Sequence, residues 1–190
     1  MMNQRSTRRD FSVKLASLIP ALNLAGTSLA SATAAVASDV PASVISHTAE
    51  AIYQEPVFQA NPERVYKVLT ETRQFDKIVE LSGVMKSGML PAGASKPTQI
   101  STEVGGPFVL FGGYITGRHI ELVPGVRVVQ AWRAGAWHTG VYSIVNFELV
   151  QQGSATKIVF DHTGFPKGTA ESLASGWNEH YWEPLVKFLA

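Results

Sequence analysis

Residues 169–189, TAESLASGWNEHYWEPLVKFL, decide the fold of this chain. Apolar side chains recur there at steps of four, four, four and three, which places them on one face of a single long helix. They are Leu173, Trp177, Tyr181, Leu185 and Phe188. The adjacent Tyr181 and Trp182 make this face wide and aromatic at its middle. Pro184 has no N–H to donate to the carbonyl of His180, so we expect a kink at that point.

The region before this helix is divided by glycine or proline about every ten residues. Such spacing is typical of strands that follow one another in an antiparallel meander, and it disfavours β-α-β units. The predicted strands are Ile100–Val104, Phe108–Phe111, Tyr114–Val123, Val126–Arg133, Gly140–Gln151 and Ala155–Thr163.

The N-terminal part of the predicted domain contains one strand and two short helices. Weak alternation predicts a strand over Ala49–Phe58. The pair Asn61-Pro62 supplies a helix cap followed by proline at the first helical position, and this helix runs to about Glu71. A second helix is expected to end near Leu81. Gly83–Pro97 reads as a loop or a broken pair of strands. Together these elements predict an α+β domain over residues 49–190.

The first 37 residues have the pattern of a twin-arginine export signal. Arg8 and Arg9 are followed by Phe11 and, at the expected spacing, by Lys14. A mildly apolar stretch comes next, which is too short and too interrupted to span a membrane stably. Small residues up to Ala37 suit a signal peptidase. An amphipathic or buried helix and an uncleaved anchor are the alternative interpretations of this segment.

Export predicts that the twin-arginine translocase is a transient partner and that the mature protein is periplasmic or otherwise outside the cytoplasm. Residues 38–48 are small and polar and read as a flexible lead-in. Without the signal the chain keeps 12 basic and 14 acidic residues, so its net charge is −2. With no basic run left, nucleic acid is not an expected ligand. The sequence contains no cysteine, which excludes thiolate metal sites and a cysteine nucleophile.

Several short sequence motifs add to the predicted order of helices and strands. They are Phe111–Gly117, Glu121–Pro124, Val129–Arg133, Tyr142–Leu149, Gly164–Pro166 and Gly176–Leu185. With them the chain, from about Gln54 to Leu189, resembles the family related to the C-terminal domain of activators of the ninety-kilodalton heat-shock chaperone ATPase. That family belongs to the SRPBCC or START-like proteins. The resemblance implies a helix-grip fold. In this fold a curved antiparallel sheet wraps around a long C-terminal helix, and a cavity lies between the sheet and the helix. In some members it also implies stimulation of a chaperone.

Large aromatic side chains are the expected walls of such a cavity. The predicted ligand-binding residues are Trp132, Phe147, Phe160, His162, Trp177 and Tyr181. Trp137 and Trp182 are further wall candidates, and for each tryptophan plain core packing is the alternative. We therefore expect a monomer or weak dimer that binds a small hydrophobic molecule without a cofactor. A protein-interaction module and a cyclase- or hydrolase-type enzyme are the alternatives, and the enzyme would need convergent polar groups inside the cavity.

His162 shares the alternation of Ile158 and Phe160, so it is expected to point into the core near the end of its strand. A histidine in that position either holds a proton ready for transfer or is a hydrogen-bonded core group.

Two further polar groups have competing interpretations. His119 and Glu121 lie two residues apart on one strand, which favours a polar outer face over a metal pair that lacks a third ligand. Arg133 can orient a carboxylate or pair with Glu148 across strands.

Overall fold

An antiparallel sheet of eight strands dominates the computed structural model, which describes residues 50–84 and 96–190. The strands are β1 (Ala51–Gln54), β2 (Val57–Phe58), β3 (Gln99–Ile100), β4 (Pro107–Leu110), β5 (Ile115–Val123), β6 (Arg127–Ala134), β7 (Ser143–Gln152) and β8 (Ala155–Thr163). Their order across the sheet is β1-β8-β7-β6-β5-β4-β3, with β2 also paired to β8. The predicted meander is therefore confirmed, and the first strand joins its far end.

Helices cover one face of this sheet. They are α1 (Pro62–Thr70), α2 (Thr72–Ser82), α3 (Ala170–Trp177) and α4 (Glu183–Leu189), and a π turn, Asn178–Trp182, joins the last two. The predicted start of α1 is confirmed, because the side-chain oxygen of Asn61 accepts a hydrogen bond of 2.9 Å from the N–H of Arg64. The α+β class and the helix-grip arrangement expected from the sequence are thus present.

Most strands differ from their predicted bounds by one to three residues, and in two strands the difference has a local cause. Pro56 has no N–H and interrupts the first strand, so β1 and β2 pair with β8 separately. β3 has two residues because the hydroxyl of Ser101 accepts a hydrogen bond from the N–H of Glu103, which turns the chain out of the sheet. The export signal, the lead-in and most of the predicted loop Gly83–Pro97 lie outside the described residues.

Near Pro184, where the sequence predicts a kink, the C-terminal helix contains the π turn. The N–H of Glu183 donates to the carbonyl of Asn178, five residues earlier, instead of four. Pro184 then takes the second position of α4, where a missing N–H costs nothing. The extra residue rotates the following helix, so that Tyr181 and Trp182 are both buried although they are adjacent.

The main core lies between the sheet and α1, α2 and α4. It contains Val65, Ile78, Val128, Phe147, Ile158, Phe160, Leu185 and Leu189 among its buried side chains. At Gly117 on β5 a side chain would collide with the Phe108 ring and the Ala131 carbonyl, so the glycine lets that ring pack across the strand. Among the described residues no helix combines the length and the apolar character needed to cross a membrane.

Candidate functional site

A cavity of about 770 Å³ lies beside α3, at the end of the sheet where β5 and β6 meet the loops after β6 and β8. Nine of its twenty described lining residues carry aromatic rings, and none is Asp, Glu, Lys or Arg. The aromatic ones are Phe111, Tyr114, Trp132, Trp137, His138, Phe165, Trp177, His180 and Tyr181. The volume and the apolar character match those of small-molecule sites.

The predicted ligand-binding residues form two layers. Trp132, Trp177 and Tyr181 line the cavity. Phe147, Phe160 and His162 lie one layer deeper and pack against the indole of Trp177, with ring centroids 5.9, 4.5 and 5.7 Å away. These three side chains support the wall and are not among the residues that form its surface.

A chain of hydrogen bonds fixes the two tryptophans of the wall. The indole N–H of Trp177 donates to Nδ1 of His162 over 3.0 Å, and Nε2 of His162 lies 2.7 Å from the hydroxyl of Ser143. The Ser143 hydroxyl donates to the carbonyl of Trp132 over 3.1 Å. Since Nδ1 accepts, the proton of the neutral ring is on Nε2. This wall is therefore held by polar contacts as well as by packing.

His162 points inward as its alternation with Ile158 and Phe160 predicts, and all three are fully buried. Burial lowers the pKa of His162 to about 4, so the ring is neutral at neutral pH. With both nitrogens in hydrogen bonds, the histidine has the geometry of the hydrogen-bonded core group.

Trp182, the remaining wall candidate, belongs to the core. Its indole N–H donates to Oε1 of Gln54 over 2.6 Å, and the amide of Gln54 donates to the carbonyl of Ala174 over 3.2 Å. One glutamine thereby connects β1 to α3 and to the π turn. Trp182 is absent from the described cavity lining, whereas Trp137 is part of it.

The loop between β6 and β7 provides the wall that contains Trp137. Arg133 donates from Nη2 to the carbonyl of Trp137 over 2.6 Å, and the Trp137 ring packs edge-on against Trp132 at 5.4 Å. The predicted pairing of Arg133 with Glu148 is wrong, because the register places Glu148 opposite Arg127. Arg133 orients the loop backbone instead.

The expected polar outer face at His119 and Glu121 is also wrong. A bulge in β5 shifts the register between these two residues. The His119 ring, on the same face as Ile115 and Gly117, is buried against Phe108 at a centroid distance of 5.4 Å, and the bulge separates Glu121 from that face. Glu121 remains half-exposed and pairs with Arg127 through two contacts of 2.8 and 3.0 Å.

Two residues of the C-terminal helix line the cavity although the sequence did not predict them as wall residues. Gly176 and His180 lie four residues apart and line the cavity beside Leu173, Trp177 and Tyr181. The spacing itself was visible in the sequence, but a glycine and a histidine carry no apolar signal. Apart from Trp137, which was expected as a wall candidate, the residues contributed by the two loops had no periodicity that could reveal them.

Three polar atoms of lining residues have no hydrogen-bond partner among the described residues. They are Nε1 of Trp132, the hydroxyl of Tyr181 and Nδ1 of His180. Burial raises the pKa of Tyr181 far above its usual range, opposed slightly by the neighbouring indole N–H of Trp132, so the hydroxyl stays protonated. Buried polar groups without partners are rare in native proteins, and they single out this part of the wall.

Known proteins show similarity to most of the chain. The family model "Activator of Hsp90 ATPase homolog 1-like protein" matches residues 59–190. The human activator of 90 kDa heat shock protein ATPase homolog 1 is 23% identical over 128 residues, which is 67% of this chain and 33% of the human protein. The chain thus spans about a third of the length of that curated relative.

Solved structures with this fold are more distant in sequence. An HSP90 activator from Plasmodium falciparum superposes with a TM-score of 0.57 at 20% identity, covering 70% of this chain and 91% of that one. The Aha1 dimer from Colwellia psychrerythraea gives 0.54 at 15% identity, covering 74% and 99%. These likenesses concern the fold. Because the family model covers well over half of the residues, the chain belongs to the Activator of Hsp90 ATPase homolog 1-like protein family.

Proposed function

We propose that this chain binds a small hydrophobic molecule in the cavity beside α3. The observation that carries the proposal is the cavity of about 770 Å³ with an aromatic lining and no described carboxylate, ammonium or guanidinium group. Burying an apolar molecule against such walls contributes roughly 25 cal/mol for each Å² removed from water. At the coarse level, a member of this family is a ligand-binding or protein-interaction module.

The rigidity of the walls supports the proposal. Trp177 is held by His162, and the loop bearing Trp137 is held by Arg133. Side chains that are fixed before binding lose little conformational entropy when the ligand arrives. This rigidity therefore supports the proposal of a site whose walls are formed before binding.

Filling the cavity from Gly176 tests the proposal directly. A Cβ atom at this position meets only Cδ2 of His180, at 4.0 Å, so the Gly176→Leu side chain enters open space. Replacing a glycine inside a helix also removes a penalty of about 1 kcal/mol. We expect Gly176→Leu to fold at least as stably as the wild type and to bind the uncharged fluorophore Nile red at least about tenfold more weakly.

Gly176→Ala is the matched control, because it gains the same helix propensity and adds only a methyl group. We expect it to bind Nile red with an affinity close to that of the wild type. Unchanged, saturable binding by Gly176→Leu would place the dye elsewhere on the protein. The absence of saturable binding by the wild type would also contradict the proposal.

A protein-interaction role is the second candidate, favoured by the relatives that are named activators of a heat-shock ATPase. The chain matches only about a third of the human relative, so any partner surface in the remainder of that protein has no counterpart in the alignment. The Gly176→Leu variant separates the two candidates. It blocks an internal ligand site and leaves the exposed surface of the other elements unchanged.

We also propose that the domain acts outside the cytoplasm, exported by the twin-arginine translocase. The support is the sequence of residues 1–37, which lie outside the described residues. Replacing Arg8 and Arg9 with lysine is expected to leave unprocessed precursor in the cytoplasm, because the translocase reads the arginine pair. Immunoblots of cell fractions measure this. Mature protein in the periplasm of a strain without that translocase would overturn the proposal.

A further inference from the structure

Two hydrogen-bonding groups, the indole N–H of Trp132 and the hydroxyl of Tyr181, belong to side chains of the inner cavity wall. Both side chains are about 95% buried, with 4% and 5% of their surface exposed, and both line the cavity. The indole N–H of one and the hydroxyl of the other have no hydrogen-bond partner among the described residues. The two groups are close enough for the indole N–H to influence the pKa of the phenol.

Both groups are hydrogen-bond donors, so the ligand atom that pairs with them must be an acceptor. An indole N–H can only donate, and the phenol remains protonated because burial raises its pKa. If the indole N–H donates to the phenol oxygen after a small side-chain movement, the phenol O–H is still left to donate. In either arrangement, the group that completes the pair is an oxygen or nitrogen with a free lone pair.

The rest of the wall limits the charge and shape of the occupant. The described lining residues include no Asp, Glu, Lys or Arg, so the two imidazoles of His138 and His180 are the only basic groups among them, and burying a charge without a counter-charge is very costly. Aromatic rings approach from several directions, among them Phe111, Trp137 and Trp177. Such rings pack best against other flat, polarisable groups through stacked and edge-on contacts.

We infer that the cavity takes an uncharged, flat polycyclic molecule carrying a carbonyl or ether oxygen, which receives hydrogen bonds from Tyr181 and Trp132. This inference rests on the proposed function and names the class of its ligand. Both donor atoms are buried and both side chains line the cavity, so we expect the oxygen to reach them through a small local adjustment of the wall. Pairing the buried phenol O–H, which has no acceptor among the described residues in either arrangement, favours that adjustment.

Fluorene and fluorenone are a matched pair of probes, since they share a flat tricyclic frame and differ by a methylene in place of a carbonyl. Binding is measured by equilibrium dialysis against the folded chain. We expect the wild type to bind fluorenone roughly five- to tenfold more tightly than fluorene. In Tyr181→Phe, which lacks only the hydroxyl, fluorenone is expected to bind at most about twofold more tightly than fluorene. The affinity of this variant for fluorene is expected to stay within about twofold of the wild-type value.

Tyr181→Phe preserves the surroundings of the ring, which packs against Phe75, Phe111 and Trp177 at centroid distances of 5.6, 5.3 and 4.1 Å. Unchanged fluorene binding therefore doubles as the folding control. A fluorenecarboxylate, which is anionic at neutral pH, is expected to bind at least about tenfold more weakly than fluorene.

The outcomes separate this inference from the function on which it rests. Equal affinities for fluorene and fluorenone, both abolished by Gly176→Leu, would overturn the acceptor site and leave the hydrophobic site standing. The same is true if Tyr181→Phe retains the full preference for fluorenone. Binding of neither probe, or binding that Gly176→Leu does not weaken, would overturn both proposals.

Discussion

Replacing Trp177 with alanine is expected to lower the free energy of unfolding by about 3–5 kcal/mol. The indole packs against Phe160 and Tyr181 at centroid distances of 4.5 and 4.1 Å and is 98% buried. Its removal also leaves Nδ1 of His162 without its donor. Urea unfolding measured by circular dichroism gives the change, since Trp177 itself contributes to the fluorescence.

Two further variants serve as controls for the size of this change in the free energy of unfolding. Trp177→Phe keeps an aromatic ring and loses the N–H, so we expect a smaller loss, on the order of 1–3 kcal/mol. Leu185→Ala deletes a buried side chain that lies away from the cavity, and it should cost about 2–5 kcal/mol without weakening Nile red binding. A loss below about 1 kcal/mol for Trp177→Ala, with Leu185→Ala in its expected range, would contradict the described packing of the indole.

Acid is expected to destabilise the domain through His162. Its pKa is lowered to about 4 in the folded chain, against an ordinary value near 6.5 in the unfolded chain. The unfolded chain therefore takes up the proton first as the pH falls below 6.5. The stability that the neutral ring provides is complete above pH 6.5 and is lost progressively down to about pH 4, in total about 3 kcal/mol.

His162→Gln isolates this contribution, because glutamine can accept and donate hydrogen bonds but has no proton to gain in this range. Unfolding free energies are compared at pH 7 and pH 4.5 for both proteins. We expect the decrease to be about 2–3 kcal/mol smaller in the variant. His119, whose pKa is also lowered by burial, is present in both proteins, so its contribution cancels in the comparison. An identical decrease in the two proteins would contradict a neutral, buried His162.

The elements of the fold could be predicted because their signals are local. The capping residues Asn61 and Pro62 define the start of α1, and the apolar steps from Leu173 to Phe188 define the C-terminal helix. The alternation of Ile158, Phe160 and His162 gave the correct face of β8. Each of these patterns depends on residues within a few positions of one another.

The site could be predicted only in part, because its walls depend on contacts between residues distant in sequence. Trp137 faces the cavity because Arg133 binds its carbonyl, and nothing in the loop sequence indicates that contact. His119 shares the buried face of Ile115 and Gly117, whereas Glu121 does not follow it, because a bulge after His119 adds a residue that a two-residue period cannot anticipate. The depth of His162 depends in the same way on Trp177 and Ser143, which reach it from other elements.

The π turn has a consequence for the rate at which a molecule enters and leaves. It divides the C-terminal helix into α3, of which only Trp177 is fully buried, and α4, which buries Pro184, Leu185 and Leu189. Segments with few buried side chains open locally without unfolding the rest of the protein. Trp177, at the end of α3, stays anchored by its hydrogen bond to His162, so the part of α3 that can fray is the part before it. We expect the fraying of these residues to limit exchange of a bound molecule, so that residence time and thermal stability can vary independently.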